Sequence, residues 1–344
     1  MGFISTKALP SPEEMINSVP LPADLQKVKE QRDLELQAIV EGRDSRFLVI
    51  IGPCSADDED AVCEYVSRLA KVYEELRDKL FIIPRIYTNK PRTTGEGYKG
   101  MLHQPDPCQA PDMAHGIRAI RNMHIRCIKE TGLTGADEML YPDNLVYCQD
   151  LLAYIAIGAR SVENQQHRLT SSGVDIPVGL KNPMCGDLSV MFNGIKAAQS
   201  PHTFIYRNNE VETTGNPLSH AILRGSINRH GEDIPNYHYE DLQRAVETYQ
   251  ARNLKNPLII VDTNHSNSAK NHHEQSRIAK DILYTRNHNS TIKKVVRGLM
   301  IESYLQDGRQ DLNDSSYKRG LSITDPCIGW EATEELLHYI AENL

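Results

Sequence analysis

The chain has 344 residues, enough for one large or two smaller domains with a substantial core. Its 38 lysines and arginines against 46 aspartates and glutamates give a net charge of −8 with no basic block, which argues against a nucleic-acid partner. No apolar run is long enough for a membrane span and no secretory leader stands out. The seven cysteines form an odd set without a CxxC pair, so a cytoplasmic protein with reduced thiols is expected.

Residues 1–46 are polar and helix-prone. Ser11-Pro12-Glu13-Glu14 reads as a helix start, Pro22 to Val40 as an amphipathic run, and no strand signal is strong. We expect an N-terminal helical arm here, serving in oligomer contact or regulation, with a first packed layer of the main fold as the plain alternative. At Phe47 the pattern changes. Phe47 to Gly52 is apolar without alternation, the mark of a strand buried on both faces, and it stops at Gly52-Pro53 before Cys54. Seven further apolar runs follow: Leu80 to Tyr87, Gly135 to Leu140, Tyr154 to Ala159, Ile176 to Leu180, His202 to Tyr206, Pro257 to Val261 and Val295 to Ile301. Amphipathic segments long enough for helices lie between most of them, at Asp57 to Arg77, Ala114 to Thr131, Leu188 to Ala198, Tyr239 to Arg252 and Ala269 to Tyr284. Eight such units over residues 47–344 predict an α/β fold, a single (β/α)8 TIM barrel with an N-terminal extension, and a doubly wound sheet as its competitor.

In a barrel the carboxyl ends of the strands share one mouth, where ligands bind. The residues expected there are Cys54, Arg85, Glu138, Arg160, Lys181, Arg207, His265 and Glu302, with Asp325 in a loop after the eighth strand. Any one of these could be a solvated loop charge; the near-complete run of ionisable ends is the informative feature. Cys54, His265, Glu302 and Asp325 offer a thiolate, an imidazole and two carboxylates, a donor set suited to Mn, Fe, Co or Zn rather than Mg or Ca. Taken singly, Cys54 reads as easily as a small core residue, and His265 as a turn residue. Arg85, Arg160, Lys181, Arg224 and the loop Lys90-Pro-Arg-Thr-Thr94 concentrate positive charge in an acidic protein, which points to phosphate and carboxylate ligands. His272-His273 and the cysteines at 63, 108, 127, 148 and 185 show no ligand spacing and read as surface or structural residues. Cys327 falls two residues after Asp325 and so near Cys54, a pair that oxidation could link.

These motifs resemble, in order, those of the type I 3-deoxy-D-arabino-heptulosonate-7-phosphate synthases. The matching segments are Gly52-Pro-Cys-Ser55, Lys90-Pro-Arg-Thr-Thr94, Gly158-Ala-Arg160, Pro177-Val-Gly-Leu-Lys181, Leu223-Arg-Gly225, His265-Ser-Asn-Ser268, Glu302-Ser303 and Ser322-Ile-Thr-Asp-Pro-Cys-Ile-Gly-Trp330. The resemblance implies condensation of phosphoenolpyruvate with erythrose 4-phosphate, the first step of the shikimate pathway to aromatic amino acids, by a metal-dependent transferase that forms dimers or tetramers. It implies that Cys54, His265, Glu302 and Asp325 hold the metal. Arg160 and Arg224 would take the phosphate of phosphoenolpyruvate, with Ala159 alongside, and Arg85 and Lys181 its carboxylate. Arg92, Thr93 and Thr94 would bind erythrose 4-phosphate, Lys90 would sit at the reacting carbons as a proton donor, and Glu138 would line the pocket. The chain departs from the family at Gly95-Glu-Gly-Tyr-Lys99, one residue longer than the usual Val-Gly-Trp, at Asn264, where Ser is usual, between Phe204 and Arg224, where it is shorter, and over Tyr141 to Leu145. The altered loop raises one alternative, use of another aldose phosphate in secondary metabolism; a catalytically silent paralogue that binds phosphoenolpyruvate or an aromatic effector is a second, against which the four retained ligands argue.

Overall fold

The computed structural model describes residues 2–312 and 317–344; Met1, in the expected arm, and residues 313–316, in the expected barrel region, lie outside them. Eight parallel strands make the barrel: β1 (Phe47–Gly52), β2 (Leu80–Pro84), β3 (Ala136–Glu138), β4 (Tyr154–Ile157), β5 (Val178–Lys181), β6 (His220–Leu223), β7 (Ile259–Asp262) and β8 (Val296–Glu302). Their ladder runs β2-β1-β8-β7-β6-β5-β4-β3. The ring is completed where Arg85 pairs with Ala136 and the Ile86 N–H donates to the Ala136 carbonyl at 2.9 Å.

The missing alternation in β1 has a simple cause. Leu48 and Ile50 point into the barrel with Phe81, Ile83, Tyr154, Ile222, Ile260 and Met300, while Phe47, Val49 and Ile51 point outward under the helices. Both faces are dry, so both are apolar. The outer layer includes α1 (Pro12–Ser18), α2 (Ala23–Val40), α3 (Glu59–Leu76), α4 (Met113–Thr131), α5 (Gln165–Ser171), α6 (Leu188–Ala198), α7 (Tyr239–Ala251), α8 (Glu274–His288) and α9 (Trp330–Glu342). Helix α3 shows the local logic. The Asp58 side chain accepts the Ala61 N–H at its start, and Ala61, Val62, Tyr65, Val66 and Leu69 bury its apolar stripe. The helix expected from Ala269 begins five residues later, because His265–Asn267 form a 3-10 turn and Ala269 and Lys270 have φ of 48° and 60°.

One expected strand is corrected. Residues 203–206 are not the sixth barrel strand; Thr203–Tyr206 pairs antiparallel with Asn209–Glu212 in an exposed ribbon. Its two-residue turn, Arg207-Asn208, has φ of 49° and 60°, the left-handed values of a tight hairpin. Arg207 therefore lies away from the mouth and pairs with Glu13 at 3.3 Å. The true sixth strand, His220–Leu223, opens on a polar residue that the barrel interior satisfies. His220 Nε2 lies 2.8 Å from the Tyr154 hydroxyl and Nδ1 2.8 Å from the Leu218 carbonyl.

Helix α2 seals the end of the barrel opposite the mouth. Leu36, Ile39 and Val40 join the interior cluster, and Arg297 at the start of β8 donates to the Ile39 and Val40 carbonyls, the latter at 3.0 Å. Arg32 lies 4.0 Å over the Phe81 ring and donates to the Ile82 carbonyl at 2.7 Å. Among the described residues no helix is long and apolar enough to cross a membrane.

Candidate active site

Strand β1 delivers Cys54 through a close contact. A Cβ on Gly52 would overlap the Arg85 carbonyl oxygen, so glycine is what lets β1 and the end of β2 converge at the mouth. The strand ends open on a cavity of about 310 Å³. Cys54, Arg85, Lys90, Arg92, Thr93, Thr94, Glu138, Ala159, Arg160, Lys181, Arg224, His265 and Asp325 all line it. Glu302 lies just beneath, 1% exposed. The structure thus brings together every residue expected at the site except Arg207.

Two ionic chains cross the floor. In the first, Lys90 Nζ lies 2.8 Å from both Cys54 Sγ and Asp325 Oδ2, and Lys270 adds a second cation 3.7 Å from Asp325 Oδ1. In the second, Arg85 meets Glu302 Oε1 at 2.9 Å. Lys181 meets Asp262 Oδ2 at 2.9 Å, and the same oxygen lies 2.8 Å from His265 Nδ1. Burial alone would raise the pKa of these carboxylates. Lys90 instead holds Asp325 low, Arg85 holds Glu302 low, and His265 with Lys181 holds Asp262 low, so all three stay ionised. Burial pushes His265 down against the pull of Asp262, which favours a neutral ring. Burial, then the Glu302 charge, pushes the Cys54 thiol up.

A divalent ion fits this donor set. Cys54, Glu302 and Asp325 each bring a ligand atom within 4.8 Å of the others, and His265 Nε2 is 3.8 Å from Glu302 Oε1. Glu302 Oε1 is buried and accepts no hydrogen bond; its close ionic contact is with Arg85. One sulfur, one imidazole and two carboxylates suit a borderline transition metal. The Lys90 ammonium, lodged between two of these donors, marks the place as one that favours positive charge.

Above the floor, Arg224 follows β6, its N–H donating to Asn182 Oδ1 at 2.9 Å and its guanidinium 3.5 Å from Met184 Sδ. Arg160 Nε donates to Thr93 Oγ1 at 3.1 Å, tying the end of β4 to the Lys90–Thr94 loop. Arg92 Nε donates to the Tyr98 carbonyl at 2.8 Å, which curls the longer Gly95–Lys99 segment back on itself. Glu138 reaches the cavity because Gly158 has no side chain: a Cβ there would overlap Glu138 Oε1.

Sequence reasoning missed the supports. Asp262 orients His265 and neutralises Lys181. Asn264 Nδ2 donates to Glu302 Oε2 at 2.5 Å, and Gln275 brackets the Glu302 backbone with two hydrogen bonds of 2.8 Å. The spacing Asp262-Thr-Asn-His265 was the available signal, since a ligand histidine commonly leans on a carboxylate. Outside the cavity, His272 and His273 Nε2 lie 3.2 and 3.6 Å from Asp307 Oδ2.

Residues 22–338 match the model of the DAHP synthetase I family. The chain belongs to this family. It is 35% identical to the Tyr-sensitive phospho-2-dehydro-3-deoxyheptonate aldolase of Salmonella typhimurium, over 98% of this chain and 94% of that one. It is 37% identical to the phospho-2-dehydro-3-deoxyheptonate aldolase of Haemophilus influenzae, over 92% and 85%. Among solved structures, the phospho-2-dehydro-3-deoxyheptonate aldolase of Francisella tularensis superimposes with a TM-score of 0.92 at 32% identity, over 99% of this chain and 98% of that one. Membership in the DAHP synthetase I family makes the barrel mouth the place to look for its chemistry.

Proposed function

We propose that this member of the DAHP synthetase I family condenses phosphoenolpyruvate with erythrose 4-phosphate and water to DAHP and phosphate at the barrel mouth. The observation that carries the reading is one cavity in which Arg85, Arg160, Lys181 and Arg224 surround the Cys54–Glu302–Asp325 donor group. Guanidinium forks and an ammonium arranged this way suit the phosphate and carboxylate of phosphoenolpyruvate. We assign Arg160 and Arg224 to the phosphate, and Arg85 and Lys181 to the carboxylate, which turns C3 toward the aldehyde carbon of the second substrate. Arg92, Thr93 and Thr94 receive the phosphate of erythrose 4-phosphate.

Cys54, His265, Glu302 and Asp325 would hold a divalent metal, Mn, Fe, Co or Zn, which when bound supplies Lewis acidity toward the aldehyde oxygen. The chain's own residues do the rest. The C3 electron pair of phosphoenolpyruvate forms the new bond to the aldehyde carbon, and positive character develops at C2. Lys90 gives its proton to the nascent alkoxide. Water adds at C2, its proton passes to a carboxylate of the mouth such as Glu138, and phosphate departs with C–O cleavage. We place the reaction in the cytoplasm and expect a homodimer or homotetramer, checked by light scattering on the purified chain.

Incubation of the pure protein with Mn2+ and both substrates should deplete the ultraviolet absorbance of phosphoenolpyruvate. No loss beside an active control enzyme would refute the assignment. The longer Gly95–Lys99 loop, held by Arg92, is the feature that favours testing other aldose phosphates in the same assay.

A further inference from the structure

The end of the barrel opposite the mouth carries a second cavity, of about 560 Å³, that no step above uses. Its walls are the last turn of α2 with Gly42, the start of β1, Pro257 before β7, and the segment from Arg286 to Arg297 that joins α8 to β8. Five cations reach it, Arg46, Arg286, Lys293, Lys294 and Arg297, against two carboxylates, Glu41 and Asp44. Both carboxylates are already engaged: Asp44 by Arg46 at 2.7 Å, and Glu41 by Arg43 at 2.5 Å and Gln37 at 2.9 Å. Among the described residues, Arg286, Lys293, Lys294 and Arg297 form no ion pair.

Lys293 and Lys294 alone would be an ordinary solvated rim. Arg286 is different. It is 5% exposed, its Nε donates to the Val296 carbonyl at 2.6 Å, and its guanidinium lies 4.5 Å over the Phe47 ring. One of its terminal nitrogens, Nη1, is buried with no hydrogen-bond partner. A buried guanidinium nitrogen without an acceptor is costly, and native proteins rarely leave one so. Burial, and to a lesser degree the charge of Arg297, push the Arg286 pKa down to about 10. Arg297 donates to the Val40 carbonyl at 3.0 Å and the Pro257 carbonyl at 3.4 Å, which occupies donors but supplies no anion.

We propose that this cavity is an anion site for a phosphate-class ligand, inorganic phosphate or a phosphate monoester, seated between Arg286 and Arg297 with Lys293 and Lys294 at its rim. A dianion with several acceptor oxygens matches four cations that have no carboxylate partner, one of them with an unpartnered guanidinium nitrogen, better than a single carboxylate does. The ligand would bridge α2 to β8 and stabilise the seal at the closed end, since whatever binds only the folded state shifts the folding equilibrium toward it.

The test is equilibrium dialysis of the full chain against labelled inorganic phosphate, and in a second arm glycerol 3-phosphate, at fixed ionic strength. Four proteins are compared: the parent, Arg224→Gln in the mouth, the double variant Lys293→Gln and Lys294→Gln, and Arg286→Gln. Two classes of binding are expected. Removing the two exposed lysines should weaken one class by about three- to tenfold and leave untouched the class that Arg224→Gln weakens. Arg286→Gln should abolish that same class. Circular dichroism checks its folding, and the lysine variant, which alters only exposed side chains, decides the matter where it does not fold. The arm that binds more tightly identifies free phosphate or an ester as the ligand source. Phosphate binding that responds to Arg224→Gln alone, with no change in the lysine and Arg286 variants, overturns the proposal. Synthase activity is read separately, so failure here leaves the assignment of the mouth intact.

Discussion

Asp262 is the residue whose removal separates the supports of the site from its ligands. Its carboxylate is 1% exposed, and one oxygen serves both Lys181 at 2.9 Å and His265 at 2.8 Å. Asp262→Asn keeps the shape and an acceptor oxygen but removes the charge. Breaking a buried pair from one side costs about 3–5 kcal/mol, because the remaining ion stays desolvated without its partner. Lys181 borders the open cavity and asparagine still accepts one hydrogen bond, so we expect the lower end, about 3 kcal/mol, in urea unfolding at pH 7. The variant also frees the His265 ring, which should weaken metal binding by about 10- to 100-fold in chelator competition. The pH dependence has a definite sign. The folded carboxyl is held below its ordinary value, so its contribution is present above about pH 4, the unfolded value, and fades as pH falls from there toward the folded one. The gap between the two proteins should therefore narrow in acid. An unchanged urea midpoint at pH 7, together with metal affinity within about twofold of the parent, would refute the reasoning.

Asp57 gives the opposite sign: burial, despite hydroxyls of Tyr304 at 3.1 Å and Tyr317 at 3.3 Å, pushes its pKa up to about 7. A carboxyl raised by about 3 costs stability as pH climbs from about 4 to 7, about 4 kcal/mol in all. Asp57→Asn should thus stabilise the protein at pH 8 and not at pH 4, and equal effects at both pH values in urea titrations would contradict this. In steady-state kinetics, Arg224→Gln should raise KM for phosphoenolpyruvate at least about tenfold, by loss of a charge-assisted contact, while Arg207→Gln on the exposed ribbon should not. Equal losses would undo the assignment of His220–Leu223 as the sixth strand. The Cys54 N–H lies 3.4 Å from Cys327 Sγ. Peroxide should therefore consume both thiols, itself reduced to water, in metal-stripped protein and spare them in metal-loaded protein, as read by thiol counting; survival of both in the stripped protein would disprove the link.

How much of this could be read from the amino-acid order depends on which force made each pattern. Strands such as β1 and β7 are dry on both faces, and hydrophobic burial left apolar runs that need no tertiary knowledge to find. Strand β6 is as buried, yet it begins with His220, whose polarity is satisfied by Tyr154 from a strand 66 residues away. A window of sequence cannot see that partner, so the more apolar-looking ribbon at Thr203–Tyr206 took its place and carried Arg207 with it. The ribbon's own record was in the text: exposed and half-buried residues alternate along it, and Arg207-Asn208-Asn209 is turn chemistry.

The same distinction runs through the site. Most of its ligand-like residues were legible because they stand at or just after strand ends, where a run of charges has no packing reason to be; Asp325, in the loop after β8, was legible from its motif. Asp262 was not, although it too ends an apolar strand, because the run was bounded at Val261 and His265 was taken as that strand's contribution to the mouth. Only the fold brings Lys181 from β5 and His265 from the turn after β7 onto its one oxygen. Helix α2 shows the converse: an amphipathic run from Pro22 to Val40 does not say what its apolar face meets, and Leu36, Ile39 and Val40, on its last turns, are all fully buried against the barrel interior. A short apolar cluster at one end of a polar helix is enough when the surface that receives it is the open end of a barrel. The charges around it, Arg32 and Arg297, are then held by the backbone carbonyls of Ile82, Ile39 and Val40 rather than by carboxylates. Cations held by backbone carbonyls instead of carboxylates, together with the unpartnered nitrogen of Arg286, are what make the closed end of this barrel, and not only its mouth, a surface suited to anions.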